Sequence, residues 1–212
     1  MNSVVHKLAV GKWKENCYIL CVGKQGIIID PGDEANVISE FIVKNLIKPV
    51  AIINTHAHYD HVGAVTELKD IFNIPFYLHS KDKRLLNHAS MYRAFVGETI
   101  KFKVPEIDYF LEEFETLELG GINLKIFHIP GHTEGSVCFL CENKLFTGDY
   151  LLNTKLGRTD LPGANIKKFQ ESIKYLMTFP PDTLIYPGHG EITSLKNEIL
   201  NNPELHRLIY EE

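Results

Sequence analysis

The sequence predicts an α/β fold in which two sheets pack face to face with helices outside. Three observations carry this expectation. Short β-rich runs alternate with apolar stripes at helical spacing in both halves of the chain. The run PVAIINT is apolar enough for a strand buried on both faces. Hydrophobic residues are 44% of the 212 residues and charged residues 23%, the balance of a globular chain with a full core. A single domain over residues 1–212 is expected at this length.

The elements follow in order. CYILCV (17–22) and GIIID (26–30) flank a glycine-containing turn and read as a hairpin. Asp33 is placed to cap a helix over PGDEANVISEFIVKNL, where Val37, Ile38, Phe41 and Ile42 recur at helical spacing. PVAIINT is the next strand. HVGAVTELKDIF then carries a helical stripe of Val62, Val65, Leu68, Ile71 and Phe72, and IPFYLH is another strand. Residues 80–110 read as short helices and a loop. In the second half INLKIFHIP, GSVCFLCEN and KLFTGDY are strands, and NIKKFQESIKYLMTF is a helix capped by Asn165. DTLIYPGHG is a strand ending in a loop, and SLKNEIL begins a last helix.

Composition excludes some functions. The net charge of −5 argues against a nucleic-acid partner, because a phosphate-tracking surface needs a basic excess. No stretch reaches the about 18 apolar residues of a membrane span. The N-terminal MNSVVHKLAVGKWKENCYIL shows neither the apolar region nor the cleavage site of a secretory signal, so a cytoplasmic location is expected. Reduced cysteines follow from that location. Cys17, Cys21, Cys138 and Cys141 are expected in the core. Cys138 and Cys141 stand three apart in a strand, on opposite faces, and so do not form half of a zinc site.

The chemistry sits at strand ends. His56, His58, Asp60 and His61 follow PVAIINT. His132 lies in PGHTEGS, Asp149 ends LFTGD, and His189 lies in YPGHGE. Gly131, Gly148 and Gly188 introduce three of these clusters and permit tight turns. Imidazole and carboxylate donors suit zinc, iron and similar divalent ions. There are too many donors for one four-coordinate ion. They match two ions, about 3.5–4 Å apart, sharing a carboxylate. Packing them together without a cation costs several kcal/mol. His6, His79, His88, His128 and His206 lack such company in the sequence and are expected not to be ligands.

THAHYDH, GHT, GD and GHG, in that order, closely resemble the motifs of metallo-β-lactamase-fold hydrolases. The resemblance runs from DPG at Asp30 to NNPEL near residue 204. It implies a four-layer αββα sandwich with two divalent metal ions at one edge. Zinc is the first expectation, and iron and manganese are also compatible. It implies one ion on His56, His58 and His132, a second on Asp60, His61 and His189, and Asp149 as the bridge. Asp60 also stands where the family orients the attacking hydroxide. Asp30 resembles the aspartate that braces the metal loop.

Within the fold, lactamases usually carry cysteine where Asp149 stands, and flavodiiron proteins replace His58 by glutamate. The nucleases add RNA-binding segments, for which 212 residues leave no room. GRTD, at 157–160, resembles the short glyoxalase II-like (hydroxyacylglutathione hydrolase-like) subgroup and also the persulfide dioxygenases. The chain ends soon after GHGEIT, so the C-terminal helical domain of longer glyoxalase II enzymes is expected to be absent. Lys155-Leu156 and Gly163-Ala164-Asn165 depart from the usual Ser-Ile and Gly-Gly-Asp around GRTD. The resemblance implies hydrolysis of a small-molecule thioester such as S-lactoylglutathione by a metal-bound hydroxide. Arg158 either binds a substrate carboxylate or pairs with Asp160 to shape its loop, and Lys155 is the other nearby cation. The alternative is a persulfide dioxygenase with a single iron on His56, His132 and Asp149.

Overall fold

The computed structural model describes residues 2–97 and 103–210; positions 98–102 of the ambiguous 80–110 stretch lie outside them. One six-stranded sheet runs in the order β1 (Val4–Val10), β2 (Glu15–Val22), β3 (Gln25–Ile29), β4 (Lys48–Ile53), β5 (Phe76–Leu78), β6 (Tyr109–Phe110). The second contains β7 (Thr116–Leu119), β8 (Ile122–His128), β9 (Val137–Cys141) and β10 (Lys144–Gly148). A small separate ribbon, β11 (Leu151–Leu152) with β12 (Lys155–Leu156), follows in sequence. β13 (Leu184–Pro187) and β14 (Thr193–Ser194) complete the second sheet, whose order is β14-β13-β10-β9-β8-β7.

Period-two alternation divides the apolar strand residues between separate cores. Tyr18, Leu20, Ile27, Ile29, Ala51 and Ile53 face the second sheet, where they meet Phe139 and Phe146. Cys17, Ile19, Ile28 and Ile52 face outward, onto α1 (Ala35–Lys44), a short α2 (Tyr59–Val62) and α3 (Val65–Phe72). Next come α4 (Lys83–Asn87) and α5 (Ala89–Phe95) on that side, and α6 (Ile166–Leu176), α7 (Leu195–Asn201) and α8 (Pro203–Tyr210) on the other. Phe169, Ile173, Leu176, Leu195 and Leu205 of these last helices cover Cys138 and Leu145. The layers are therefore helix, sheet, sheet, helix, as the αββα expectation required. All four cysteines are free and buried, with Cys138 and Cys141 in different cores. Among the described residues no helix is long and apolar enough to cross a membrane.

Three local expectations are corrected. Asp33 does not cap α1. Glu34 occupies that position in a left-handed conformation without a side-chain cap, because Asp33 is drawn to Arg93 at 2.7 Å. The stripe from Val62 to Phe72 is two helices, and Ile71 is exposed; the turn at Gly63 and Ala64 is held by Ala64 N donating to Pro31 O at 3.0 Å. The last helix is followed by a further one, α8. Asn202 Oδ1 accepts from the N–H groups of Glu204 and Leu205, which starts it. Asn165 caps α6 as expected, accepting from Lys168 N at 3.0 Å. β1 and β7, edge strands with many exposed residues, are additions that the sequence reading did not name.

β3 and β4 run parallel, as do β10 and β13, so the loops after all four open at one edge of the sandwich. The two sheets are tied there. Val137 N donates to Thr55 O at 2.9 Å, and Asn16 N donates to Gly188 O at 2.7 Å. The Tyr18 hydroxyl donates to Pro187 O at 2.7 Å in a buried position. Tyr18→Phe should therefore lose about 1 kcal/mol of stability. Urea unfolding with an unchanged m-value checks this, since Asn16 Nδ2 still donates to the same carbonyl.

Candidate metal centre

The loops after these strands gather the residues singled out in the sequence. His56, His58 and His132 offer ring nitrogens within 4.8 Å of one another, and so do the donor atoms of Asp60, His61 and His189. Asp149 lies against the second group, and its charge also acts on His56 and His132 of the first. Its Oδ1 is 3.4 Å from His61 Nε2 and its Oδ2 is 3.6 Å from His189 Nε2. Close approach explains two glycines. A Cβ at Gly188 would overlap Asp149 Oδ1. One at Gly148, where φ is +50°, would overlap Thr55 Oγ1.

The imidazoles are aimed by their outer nitrogens. Thr55 Oγ1 donates to Asp30 Oδ2 at 2.6 Å, so its oxygen is left to accept from His56 Nδ1 at 3.0 Å. His132 Nδ1 donates to Arg158 O at 2.8 Å, and His189 Nδ1 donates to Trp13 O at 3.1 Å. His61 Nδ1 reaches Asp30 Oδ2 at 3.3 Å. The inner nitrogens then converge. His132 Nε2 is 2.9 Å from His58 Nδ1, while His56 Nε2, His61 Nε2 and Asp149 Oδ1 are buried without a hydrogen-bonding partner. His58 is the exception, since its Nε2 is also buried without a partner; for the other four rings an anchored outer nitrogen leaves the inner one free to meet a metal ion. The donor set fits divalent cations.

The charges divide the cluster. Burial pushes His56 well below the usual histidine range, His58 to about 3, and His132 downward, helped by the neighbouring rings for the first two. These three are neutral bases. Burial also opposes charge on His61 and His189, but the carboxylates around them prevail. Asp149 and Asp30 raise His61, and Asp60 and Asp149 raise His189. Burial works against the charge on Asp60 and Asp149 as well, yet these histidines hold both carboxyls below the ordinary range.

Other residues fall outside the cluster. Arg158 lies at the rim with its guanidinium in a bidentate pair to Asp160, 2.9 Å on each arm. Its carbonyl, not its side chain, meets His132. Lys155 pairs β12 with β11 through its backbone. His79 and His128, solitary in sequence, stack on each other with centroids 4.3 Å apart. His88 and His206 bond to backbone carbonyls, and His6 packs edge-on against Phe41.

Two acidic residues escaped the sequence reading. Asp82 is buried and ties the two ligand loops together. Its Oδ2 accepts from Ala57 N and Thr133 Oγ1, each at 2.9 Å, and its Oδ1 accepts from Gly135 N at 2.7 Å. Ala57 lies between His56 and His58, and Thr133 follows His132. Burial lifts its carboxyl to about 6 despite these bonds. Glu15, at the start of β2, is buried with both oxygens unpartnered, 3.8 Å from His61 Nδ1, and burial raises it well above its ordinary value. A carboxylate opening an otherwise apolar strand was the only sequence signal for it.

Asp82→Ala should cost about 2–3 kcal/mol, because buried N–H groups lose their acceptor, and should weaken metal binding about tenfold. Urea unfolding and competition with a chelating dye measure the two effects. A metal ion held by His61 and His189 would compete with protons, since their raised values keep them protonated in the metal-free protein above the usual histidine range. Metal affinity should thus rise with pH, and binding should release protons. Titration calorimetry in two buffers of different ionisation enthalpy detects this, and equal heats in both would contradict it.

Known proteins are similar to this chain in sequence and in fold. The chain is 35% identical over 202 residues to the probable metallo-hydrolase YqgX of Bacillus subtilis, covering 94% of this chain and 96% of that protein. It is 34% identical over 209 residues to the hydroxyacylglutathione hydrolase GloC of Haemophilus influenzae, covering 93% and 96%. The BLEG-1 B3 metallo-beta-lactamase superposes with a TM-score of 0.90 at 33% identity, covering 95% of this chain and 99% of that one. TTHA1623 in a di-iron-bound form gives 0.86 at 36%, covering 93% and 98%. The superfamily pattern matches residues 10–189. This chain belongs to the metallo-beta-lactamase superfamily.

Proposed function

We propose that this metallo-hydrolase cleaves small thioesters, with S-lactoylglutathione as the prototype, using two divalent ions, zinc first. The observation that supports this most is the pair of neighbouring donor groups, with Asp149 against the second and its charge acting on His56 and His132 of the first. His56, His58 and His132 would hold one ion, Asp60, His61 and His189 the second, and Asp149 would touch both. Bound there, the ions supply an activated water and Lewis acidity at the carbonyl. The similarity to a hydroxyacylglutathione hydrolase and to a di-iron protein supports the same reading.

The chain's own residues do the rest. Asp60 lines the cavity before the cluster and stays ionised beside His189, so its carboxylate is placed to accept a hydrogen bond from the attacking water. Water adds at the thioester carbonyl, the C–S bond breaks, and the thiolate leaves to take up a proton. All four cysteines are buried in the cores, so none serves as nucleophile.

Protein purified without added metal should carry two ions per chain by elemental analysis and hydrolyse S-lactoylglutathione. His58→Ala and Asp60→Ala should each lower turnover by about 100-fold, since a missing donor disorders metal and water together. One tightly held iron with no second ion, or variants that work at the wild-type rate, would overturn the proposal.

A further inference from the structure

Resting on the thioester reading, we infer that the substrate carries an apolar group, a ring or a short chain, next to the scissile carbonyl. The cluster opens into a cavity of about 360 Å³, within the size range of small-molecule sites. His58, Asp60, Asp149 and His189 form its polar end. Trp13, Tyr59, Tyr92, Phe95, Leu161 and Pro162 form its walls. Two of these are large apolar side chains left open at the mouth. Phe95 is 79% exposed and Trp13 is 46% exposed.

The walls come from separate parts of the chain and are held together. Tyr92 and Phe95 stand three apart on α5 and so share a helix face. Trp13 comes from the turn between β1 and β2. Lys12 links the two, with its Nζ 3.4 Å from Val96 O and 5.2 Å above the Trp13 ring. The apolar walls therefore face the polar end across a space built by both halves of the sandwich.

Charge argues in the same direction. Among the described residues lining this cavity, Arg158 is the only lysine or arginine, and Asp160 already meets its charge on both arms. Among the described lining residues, a thiol bearing several carboxylates finds no cation without an acidic partner, and the nearby Lys12 Nζ is engaged by Val96 O and the Trp13 ring. An anionic tail would have to pass Leu85 and Tyr92 to the adjoining cavity of about 380 Å³. There Lys81 and Arg84 share the lining with the acidic Glu134 and the buried Asp82. A ring or alkyl chain instead covers Phe95 and Trp13 and removes their surface from water. Continuity with the donor cluster favours a substrate group over a second copy of the chain as the occupant.

Trp13 is the only tryptophan in the chain, so its emission reports on this wall. Two uncleavable thioethers of N-acetylcysteamine serve as probes, one ending in phenyl and one in a hydroxylated two-carbon group. In the protein as purified, the phenyl probe should shift Trp13 emission and bind about tenfold more tightly than the other, and Phe95→Ala should remove most of that difference. With metal loaded, the phenylacetyl thioester of the same thiol should show about tenfold higher kcat/KM than the lactoyl thioester. Equal or weaker binding of the phenyl probe would overturn the inference. So would a Phe95→Ala variant that changes the oligomeric mass in light scattering but keeps the binding ratio, since that face would then be an interface between copies. If both thioesters are cleaved without preference, the apolar inference falls and the thioester reading stands. If neither is cleaved while the phenyl probe still binds tightly, the thioester reading falls and the apolar site stands.

Discussion

Burying imidazole nitrogens and carboxylate oxygens without partners is costly, several kcal/mol for groups in an apolar surrounding. At this sheet edge His56 Nε2, His61 Nε2 and Asp149 Oδ1 are all in that position. Much of the fold near the site serves to hold them there. Parallel strands bring four loops to one edge, and glycines without a Cβ let the chains approach. A metal cation would turn this cost into binding energy, because these atoms lie within groups of neighbouring donors.

What fixes the rings lies one layer out. Asp30, at the end of β3, accepts from both the backbone and the hydroxyl of Thr55 and reaches His61 as well. Backbone carbonyls of Trp13 and Arg158 hold His189 and His132. Asp82 then joins the loop of His56 and His58 to the loop of His132. The result is an uneven cluster. One side holds neutral bases, and the other holds charged histidines balanced by Asp60 and Asp149. A cavity with apolar walls opens on the side of Asp60 and His189.

Much of this was legible in the chain itself. The clustered histidines and aspartates stand at the ends of apolar runs, and a period of two along the strand separates Cys138 from Cys141. Asp33 misled because its capping chemistry was sound locally, yet Arg93, sixty residues away, offered a stronger partner. Ile71 fitted a helical stripe that the turn at Gly63 interrupts. His79 and His128 looked solitary because the stacking that joins them spans two sheets.

The sequence by itself determined the layered α/β architecture and which imidazoles and carboxylates stand at strand ends, because strand periodicity and the clustering of these residues are local patterns. Tertiary structure alone decided the roles of Asp82 and Glu15, the pairing of Arg158 with Asp160, and the aromatic wall of Trp13, Tyr92 and Phe95. Each of these depends on segments far apart in sequence meeting at a few ångströms. Asp82 acts on residues 57, 133 and 135, and no spacing along the chain encodes such a contact. Chain periodicity carries which face a residue takes. Only packing settles which distant backbone group that face will meet.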